Sequence, residues 1–146
     1  MGCEAAAGLL PVPRRRARKV EQPKERGRTP LVYACSGCSS VAQMANHLAV
    51  RLNRAGQAEM SCIAGIGGNV PGIVSKLQRA VREQRPIVAI DGCAMACARS
   101  SMQQRGAEPT VHLRLDRQGV RKIHHADFDP AQADALYTEL LDLLAD

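Results

Sequence analysis

Two pairs of cysteines stand directly after two separate apolar runs of this chain. Cys35 and Cys38, in the stretch CSGC, follow LVYA, and Cys93 and Cys97, in DGCAMAC, follow PIVAI. Cysteine thiolates bind metal ions, hold iron–sulfur clusters and carry out thiol–disulfide chemistry. Single buried cysteines are often plain core residues, but four of them at the ends of two apolar runs fit that interpretation poorly. A metal site or a redox centre is therefore favoured.

Composition is typical of one folded domain with free thiols. The chain has 146 residues, enough to bury a core without disulfide staples, and 45% of them are hydrophobic. We find no signal peptide and no apolar run of membrane-spanning length, so we expect a cytoplasmic protein without membrane contact, whose six cysteines are reduced. With no Trp, one Phe and two Tyr, the chain lacks the aromatic platforms that bind single-stranded nucleic acid.

The basic charge is concentrated at the amino terminus. Residues 1–28 contain eight Arg or Lys against three Glu, whereas the rest of the chain has twelve basic and eleven acidic side chains. Like charges and prolines without apolar periodicity are typical of a disordered segment. We therefore predict a disordered tail over 1–28, with at most weak contacts to nucleic acid. A single folded domain is predicted over 29–146, with an unidentified protein as its partner.

The rest of the chain alternates short apolar strands with helical stripes. Strands are predicted at LVYAC, AEMSCIAG, PIVAID and TVHLRLD. In the first intervening segment the apolar positions step by three and four, at Val41, Met44, Ala45, Leu48, Ala49 and Leu52. Such alternation predicts a Rossmann-like α/β fold, a three-layer open sheet of about four mainly parallel strands in the order 2-1-3-4, with helices on both faces.

This strand order brings the two cysteine pairs together. In such sheets the functional groups gather at the carboxyl ends of the strands where the order reverses, which here lies between strands 1 and 3. Neighbouring strands are about 4.8 Å apart, and sulfurs about 3.8 Å from one another can surround a tetrahedral zinc ion. The sequence thus predicts a metal site made of Cys35, Cys38, Cys93 and Cys97, called below the four site cysteines.

Both cysteine pairs also precede predicted helix starts. The positive end of a helix dipole favours the thiolate that metals require. Cys93 and Cys97 are four residues apart, so they share a helix face if the helix begins at once. Four thiolates around a divalent ion leave an excess of about two negative charges, which two helix ends would partly offset.

Two further residues are candidates for auxiliary roles. Cys62, in predicted strand 2, is either a further ligand or a core residue. Asp91 ends strand 3, where it either accepts hydrogen bonds from the backbone of the cysteine turn or caps the next helix. The stretch HHADFD, residues 124–129, offers auxiliary ligands but is better explained as a solvated connection.

Two other interpretations lack a required residue. The anion loop of small cysteine phosphatases needs an Arg six residues after the nucleophile, where this chain has Val41 or Met44. The glycine-rich stretch GIGGNVPG, expected as a loop after strand 2, has Val70 at the third glycine position of a dinucleotide-binding motif. Neither phosphatase chemistry nor dinucleotide binding is expected.

Several motifs in order resemble the DGC-domain family of zinc-binding proteins. These are CSGCSSVAQMANHLAVRL, AEMSCIAGIGG, IVAIDGCAMACA and HLRLDRQGVRK, which together cover about residues 31–130. The resemblance implies a small bacterial or archaeal protein whose four metal ligands match the four site cysteines, and it supplies no reaction. Members usually have Pro after DGC and often a polar residue before the last cysteine, where this chain has Ala94 and Ala96. No role is therefore carried over to the side chain at 96.

Three functions compete for the same cysteines. A non-enzymatic zinc-binding protein, in metal homeostasis or sensing, is favoured because four-cysteine sites usually hold structural zinc. A thiol redox or sulfur-transfer enzyme uses the reactive thiolates at helix starts. An iron–sulfur protein uses the same set of four ligands.

Overall fold

The computed structural model describes residues 29–145. It contains a four-stranded sheet in the order β2-β1-β3-β4, in which every strand pairing is parallel. The predicted α/β class and strand order are thereby confirmed. The predicted tail over 1–28, with its weak nucleic-acid contacts, lies outside the described residues. In chain order the elements are β1 (Leu31–Ala34), α1 (Ser40–Arg54), β2 (Glu59–Met60), α2 (Ile63–Gly67), α3 (Pro71–Arg82), β3 (Ile87–Asp91), α4 (Cys97–Gln103), β4 (Val111–Arg114), a 3-10 turn (Leu115–Gln118) and α5 (Pro130–Ala145).

Aliphatic packing on both faces of the sheet makes the core. All residues of β1 and β3 are buried, and so are all six residues of the apolar stripe predicted for α1. Helix α1 packs on β1, β2 and β3 and is contacted by α5, whereas α2 contacts α3 and α4. Right-handed crossovers explain this division, because the chain moves across the sheet in opposite directions before and after β2. Among the helices of residues 29–145, none has both the length and the apolar character that crossing a bilayer requires.

Local sequence features explain both ends of α1. The hydroxyl of Ser39 accepts a hydrogen bond from the Ala42 amide at 3.4 Å and so caps the amino terminus of the helix. Gly56 follows the carboxyl end with a φ of 71°, a left-handed conformation that glycine adopts without steric cost. Ser39 thus fixes where the helix begins, two residues after Cys38, and Gly56 marks where it ends.

The region after β2 differs from the prediction. Only Glu59 and Met60 pair with β1, and Cys62 is already the N-cap residue of α2. The predicted strand through Cys62 and the predicted glycine-rich loop are therefore wrong over this stretch, because the first glycines lie in a helix. A Cβ on Gly65 would lie 2.8 Å from Cγ1 of Ile73, so the absence of a side chain lets α2 approach α3 closely.

One ion-pair group ties the short edge strand β2 to the rest of the fold. Glu59 forms ion pairs with Lys76 of α3 and with Arg85, whose Nη2 lies 2.7 Å from Oε2 of Glu59. Arg85 also donates from Nε to the carbonyl of Thr29 at 2.6 Å. The hydrogen bond from Lys76, together with the pair to Arg85, lowers the pKa of Glu59 below its usual range, although partial burial acts in the opposite direction.

Replacing this carboxylate should weaken the fold in a pH-dependent way. We expect Glu59→Gln to lower the free energy of unfolding by up to about 1 kcal/mol at neutral pH, since a 44% exposed side chain is screened by solvent. Because the folded-state pKa is lowered, this stabilisation is present above the ordinary glutamate pKa and is lost as the pH falls through the folded-state pKa.

Urea denaturation at neutral and at acid pH measures this difference. Glu83→Gln, at an exposed residue directly after α3, is the matched control and should leave stability unchanged. A loss for Glu59→Gln that stays constant down to full protonation of the carboxylate would contradict the assignment.

Candidate metal centre

A single cavity of about 220 Å³ is lined by all four site cysteines. It opens at the carboxyl ends of β1 and β3, which pair in parallel from Leu31 with Ile87 to Ala34 with Ile90. The amide of Cys35 continues this pairing by donating to the carbonyl of Ile90 at 2.9 Å. The structure therefore brings the two cysteine pairs together where the strand order reverses.

Cys35 is the buried member of the set, with 8% of its surface exposed. Its sulfur accepts a hydrogen bond from the backbone N–H of Gly92 at 3.1 Å. Burial raises the pKa of the Cys35 thiol to about 11, while the hydrogen bond from Gly92 acts in the opposite direction. With no cation beside it, Cys35 is therefore a neutral thiol at neutral pH.

Cys38 is an exposed thiol at the entrance to α1. It directly precedes the N-cap residue Ser39, as the sequence predicts. The side-chain amide of Gln43, in the first turn of α1, donates to the carbonyl of Gly37 at 2.6 Å. This bond fixes the CSGC turn against the helix that follows it.

The second cysteine pair is arranged differently from the prediction. Helix α4 begins at Cys97, so Cys93 and Cys97 do not share a helix face. A turn intervenes, closed by a hydrogen bond of 3.0 Å from the Ala96 amide to the carbonyl of Cys93. Ala96 has a φ of 47°, a left-handed conformation uncommon for alanine, and it delays the start of the helix. Cys93 is half-buried and Cys97 is exposed.

Asp91 is fully buried beside this turn and stabilises it. Its carboxylate accepts hydrogen bonds from the amides of Ala98 at 2.7 Å and Arg99 at 3.1 Å, the first turn of α4. It also lies 2.9 Å from Nε2 of His112 on β4. These hydrogen bonds correspond to helix capping, one of the two alternatives given for Asp91, and the contact with His112 adds a link to the next strand that the sequence analysis missed.

Two further residues line the cavity together with the cysteines. These are Lys122, to which the sequence analysis gave no role, and His124, which belongs to the stretch that offers auxiliary ligands but was better explained as a solvated connection. No local signal in the sequence marks them, since their position depends on contacts with α1. Cys62, proposed as an auxiliary ligand, is exposed before α2 and is not among the residues that line the cavity.

The donor atoms fit a thiophilic metal, although they are not gathered around one point. Within residues 29–145 no group of three or more His, Cys, Asp or Glu side chains is arranged closely enough to hold an ion. Four cysteine sulfurs lining a cavity of about 220 Å³ are nonetheless the donor set that zinc and iron–sulfur clusters prefer. The assignment of the four site cysteines as ligands stays a prediction.

Gly92 allows the two halves of the site to approach. A Cβ at this position would lie 2.7 Å from the backbone carbon and oxygen of Val41 and 2.9 Å from its Cβ. Backbone atoms in the first turn of a packed helix cannot move aside cheaply. The glycine in DGC is therefore required for α1 to sit directly against the end of β3.

Comparisons with known proteins agree with the arrangement of motifs. The family model of the DGC domain matches residues 31–140. A protein of Pseudomonas aeruginosa strain PAO1, named anaerobic and virulence modulator AnvM, is 50% identical over 115 residues. The aligned part covers 79% of this chain and 85% of that protein. No solved structure matches the chain.

Adding a methyl group at Gly92 should destabilise the protein. We expect Gly92→Ala to cost about 1–3 kcal/mol of unfolding free energy, because α1 must shift away from β3. Gly72→Ala is the matched control, since a Cβ on this helical glycine meets nothing within 4 Å and should be neutral or stabilise by up to about 1 kcal/mol. Thermal denaturation of both variants measures the difference, and equal effects would disprove the close-approach explanation.

Removing the charge of Asp91 should loosen the turn that carries Cys97. Asp91→Asn replaces a buried carboxylate, which accepts hydrogen bonds from the amides of Ala98 and Arg99 and lies 2.9 Å from Nε2 of His112, by a weaker acceptor. We expect a loss of about 1–3 kcal/mol in unfolding free energy, together with faster amide hydrogen exchange at Ala98 and Arg99. Asp142→Asn, at an exposed position of α5, is the control. Unchanged exchange at both amides in Asp91→Asn would show that the carboxylate does not hold α4.

Proposed function

The chain belongs to the DGC-domain family, and we propose that its four site cysteines bind one zinc ion in a protein with a regulatory role. The observation that carries the proposal is the cavity at the ends of β1 and β3, which all four sulfur-bearing side chains line. The two cysteine pairs are 55 residues or more apart in the sequence. Four cysteines that were only small core residues would not be expected to line one cavity.

Each ligand has a support that suits metal binding. Cys35 is buried, and its sulfur accepts the Gly92 amide, a bond that also stabilises a thiolate. Cys38 stands before the amino terminus of α1, and Cys97 is the first residue of α4, so both lie at the positive end of a helix dipole. These supports favour negative charge on sulfur when a cation replaces the protons.

Zinc bound by four thiolates has no open position for substrate and would cross-link the ends of two strands. The two exposed thiols, Cys38 and Cys97, have the rotational freedom to turn toward the cavity. The entropy lost in ordering them is small beside the free energy of zinc–thiolate bonds. Binding would therefore complete a site whose strands and turns are already in place.

The relative from Pseudomonas aeruginosa supports a regulatory role over an enzymatic one. Its name describes an anaerobic and virulence modulator, and the aligned region includes most of both chains. A closed four-thiolate site suits a protein whose shape depends on the metal, as expected of a modulator that acts through another protein. In this proposal, zinc binding orders the carboxyl end of the sheet, where the four site cysteines lie, and the ordered surface binds that partner.

An iron–sulfur or thiol redox protein is the second candidate. Two of the thiols, Cys38 and Cys97, are exposed at helix starts, which is where reactive thiolates occur. The relative's name refers to anaerobic conditions, and oxygen-labile clusters use the same four-cysteine set. Metal analysis of anaerobically purified protein separates this candidate from zinc binding.

The zinc proposal predicts a specific pattern of metal loss. Purified protein should be colourless and hold one zinc ion per chain, and Cys93→Ser should lower the occupancy severalfold because one of four ligands is gone. Cys62→Ser is the matched control, since this exposed thiol is outside the cavity and should leave zinc content unchanged. Elemental analysis after gel filtration measures both.

Four outcomes would overturn the proposal. Full zinc occupancy in Cys93→Ser, or loss of zinc in Cys62→Ser, would show that the ligand set is wrong. A brown protein that contains iron and sulfide would establish a cluster. Metal-free protein whose thiols are cycled by thioredoxin would establish redox chemistry.

A further inference from the structure

The segment Val120–His124, called here the strap, runs along the mouth of the cysteine cavity. It has no helix or strand hydrogen bonding of its own, and from Arg121 to His124 its residues line two cavities in alternation. Lys122 and His124 line the cysteine cavity. Arg121 and Ile123 line a neighbouring cavity of about 250 Å³. The alternation places one lysine on the same side as the thiols and one arginine on the other.

Ser40, the first residue of α1, holds the strap in place. Its amide donates to the carbonyl of Ile123 at 3.0 Å, and its hydroxyl accepts from the Ile123 amide at 2.9 Å. The same hydroxyl lies 3.4 Å from the carbonyl of Arg121, to which it donates. Ser40 is 1% exposed, so these hydrogen bonds are shielded from water. The residue that fixes the strap is therefore two positions from Cys38.

Lys122 directs its ammonium group at the cysteines. Its Nζ is 3.9 Å from Sγ of Cys93. Among the ion pairs between residues 29 and 145, none includes Lys122. Arg114 of β4 is instead held by Asp116, with Nε 3.1 Å from Oδ1. Within residues 29–145, the ammonium group of Lys122 therefore forms no ion pair with a carboxylate, and it lies beside the sulfur of Cys93.

We propose that Lys122 is part of the metal centre, as the positive charge that offsets the excess negative charge of a zinc–thiolate site and slows zinc release. The inference rests on the proposed zinc site and adds a residue that the resemblance to the family does not supply. Four thiolates and one divalent ion carry about two negative charges in excess. An ammonium donor interacts more strongly with a metal-bound thiolate than with a neutral thiol, so it stabilises the zinc-loaded form.

The strap explains why this role belongs to Lys122 and not to its neighbour Arg121. Arg121 precedes it and carries the same charge, yet its side chain lies at the neighbouring cavity. Removing either charge changes the net charge of the protein equally. Only a local effect on the thiolates separates the two variants, which makes Arg121 a matched control.

The test compares zinc release from four proteins loaded with one equivalent of zinc. They are the parent, Lys122→Gln, Lys122→Arg and Arg121→Gln, and the readouts are zinc affinity in competition with a chromogenic chelator and the rate of zinc transfer to it. We expect Lys122→Gln to weaken affinity and speed release about tenfold, the effect of losing one charge-assisted hydrogen bond. Lys122→Arg and Arg121→Gln should stay within about twofold of the parent.

The outcomes separate this inference from the proposed function. A parent protein that takes up no zinc would overturn the proposed function, and the role of Lys122 with it. A parent that holds zinc, with Lys122→Gln releasing it at the parental rate, would overturn the role of Lys122 alone. Equal acceleration in Lys122→Gln and Arg121→Gln would show an effect of net charge, which also overturns it. Thermal denaturation of the metal-free variants checks that all four fold alike, as expected for exposed side chains.

Discussion

Four residues of β1 pair in parallel with four residues of β3, and this ladder ends with Cys35 beside Gly92. The Gly92 amide, which has no further strand partner there, donates to the Cys35 sulfur, and the missing side chain of Gly92 admits the backbone of Val41. One pairing therefore sets the positions of both cysteine turns and of α1. Any shift in register would move the two turns apart by the rise of a strand residue, about 3.3 Å, and would separate the thiols.

The buried carboxylate of Asp91 also positions the cysteine site. Asp91 joins the end of β3 to the first turn of α4 and to His112 of β4. Helix α4 has only seven residues, so it depends on such contacts more than on its own hydrogen bonds. The left-handed backbone at Ala96, which costs on the order of 1 kcal/mol, persists because this anchor holds the chain on both sides of it.

The periodicity of apolar residues was sufficient to predict the long, regular elements. The stripe of α1, its Ser39 cap and the order of the strands follow from spacing and from the handedness of crossovers. That reasoning also placed the two cysteine pairs at one edge. It overextended β2, because only two residues find a partner on β1 before the chain turns into α2. Strand propensity does not predict how many residues of β2 find a hydrogen-bonding partner on β1.

The parts of the site that were missed depend on distant contacts. The start of α4 at Cys97 requires the carboxylate of Asp91, and His112 is 21 residues from that aspartate. The strap is fixed by Ser40, which is 83 residues from Ile123. Nothing in the stretch RKIHH indicates a partner so far away. Such residues become visible only when the fold brings them next to the cysteines.

That separation has a consequence for the order in which the molecule is completed during synthesis. Chains are made from the amino terminus and fold as their partners emerge. All four site cysteines precede the strap in the sequence, and Cys97 leaves the ribosome 25 residues before Lys122. For that interval the nascent chain carries all four thiols but lacks both Lys122 and the serine-bound backbone that lie beside them in the folded protein. The last third of the chain thus adds one side of the cavity to a set of cysteines that is already synthesised.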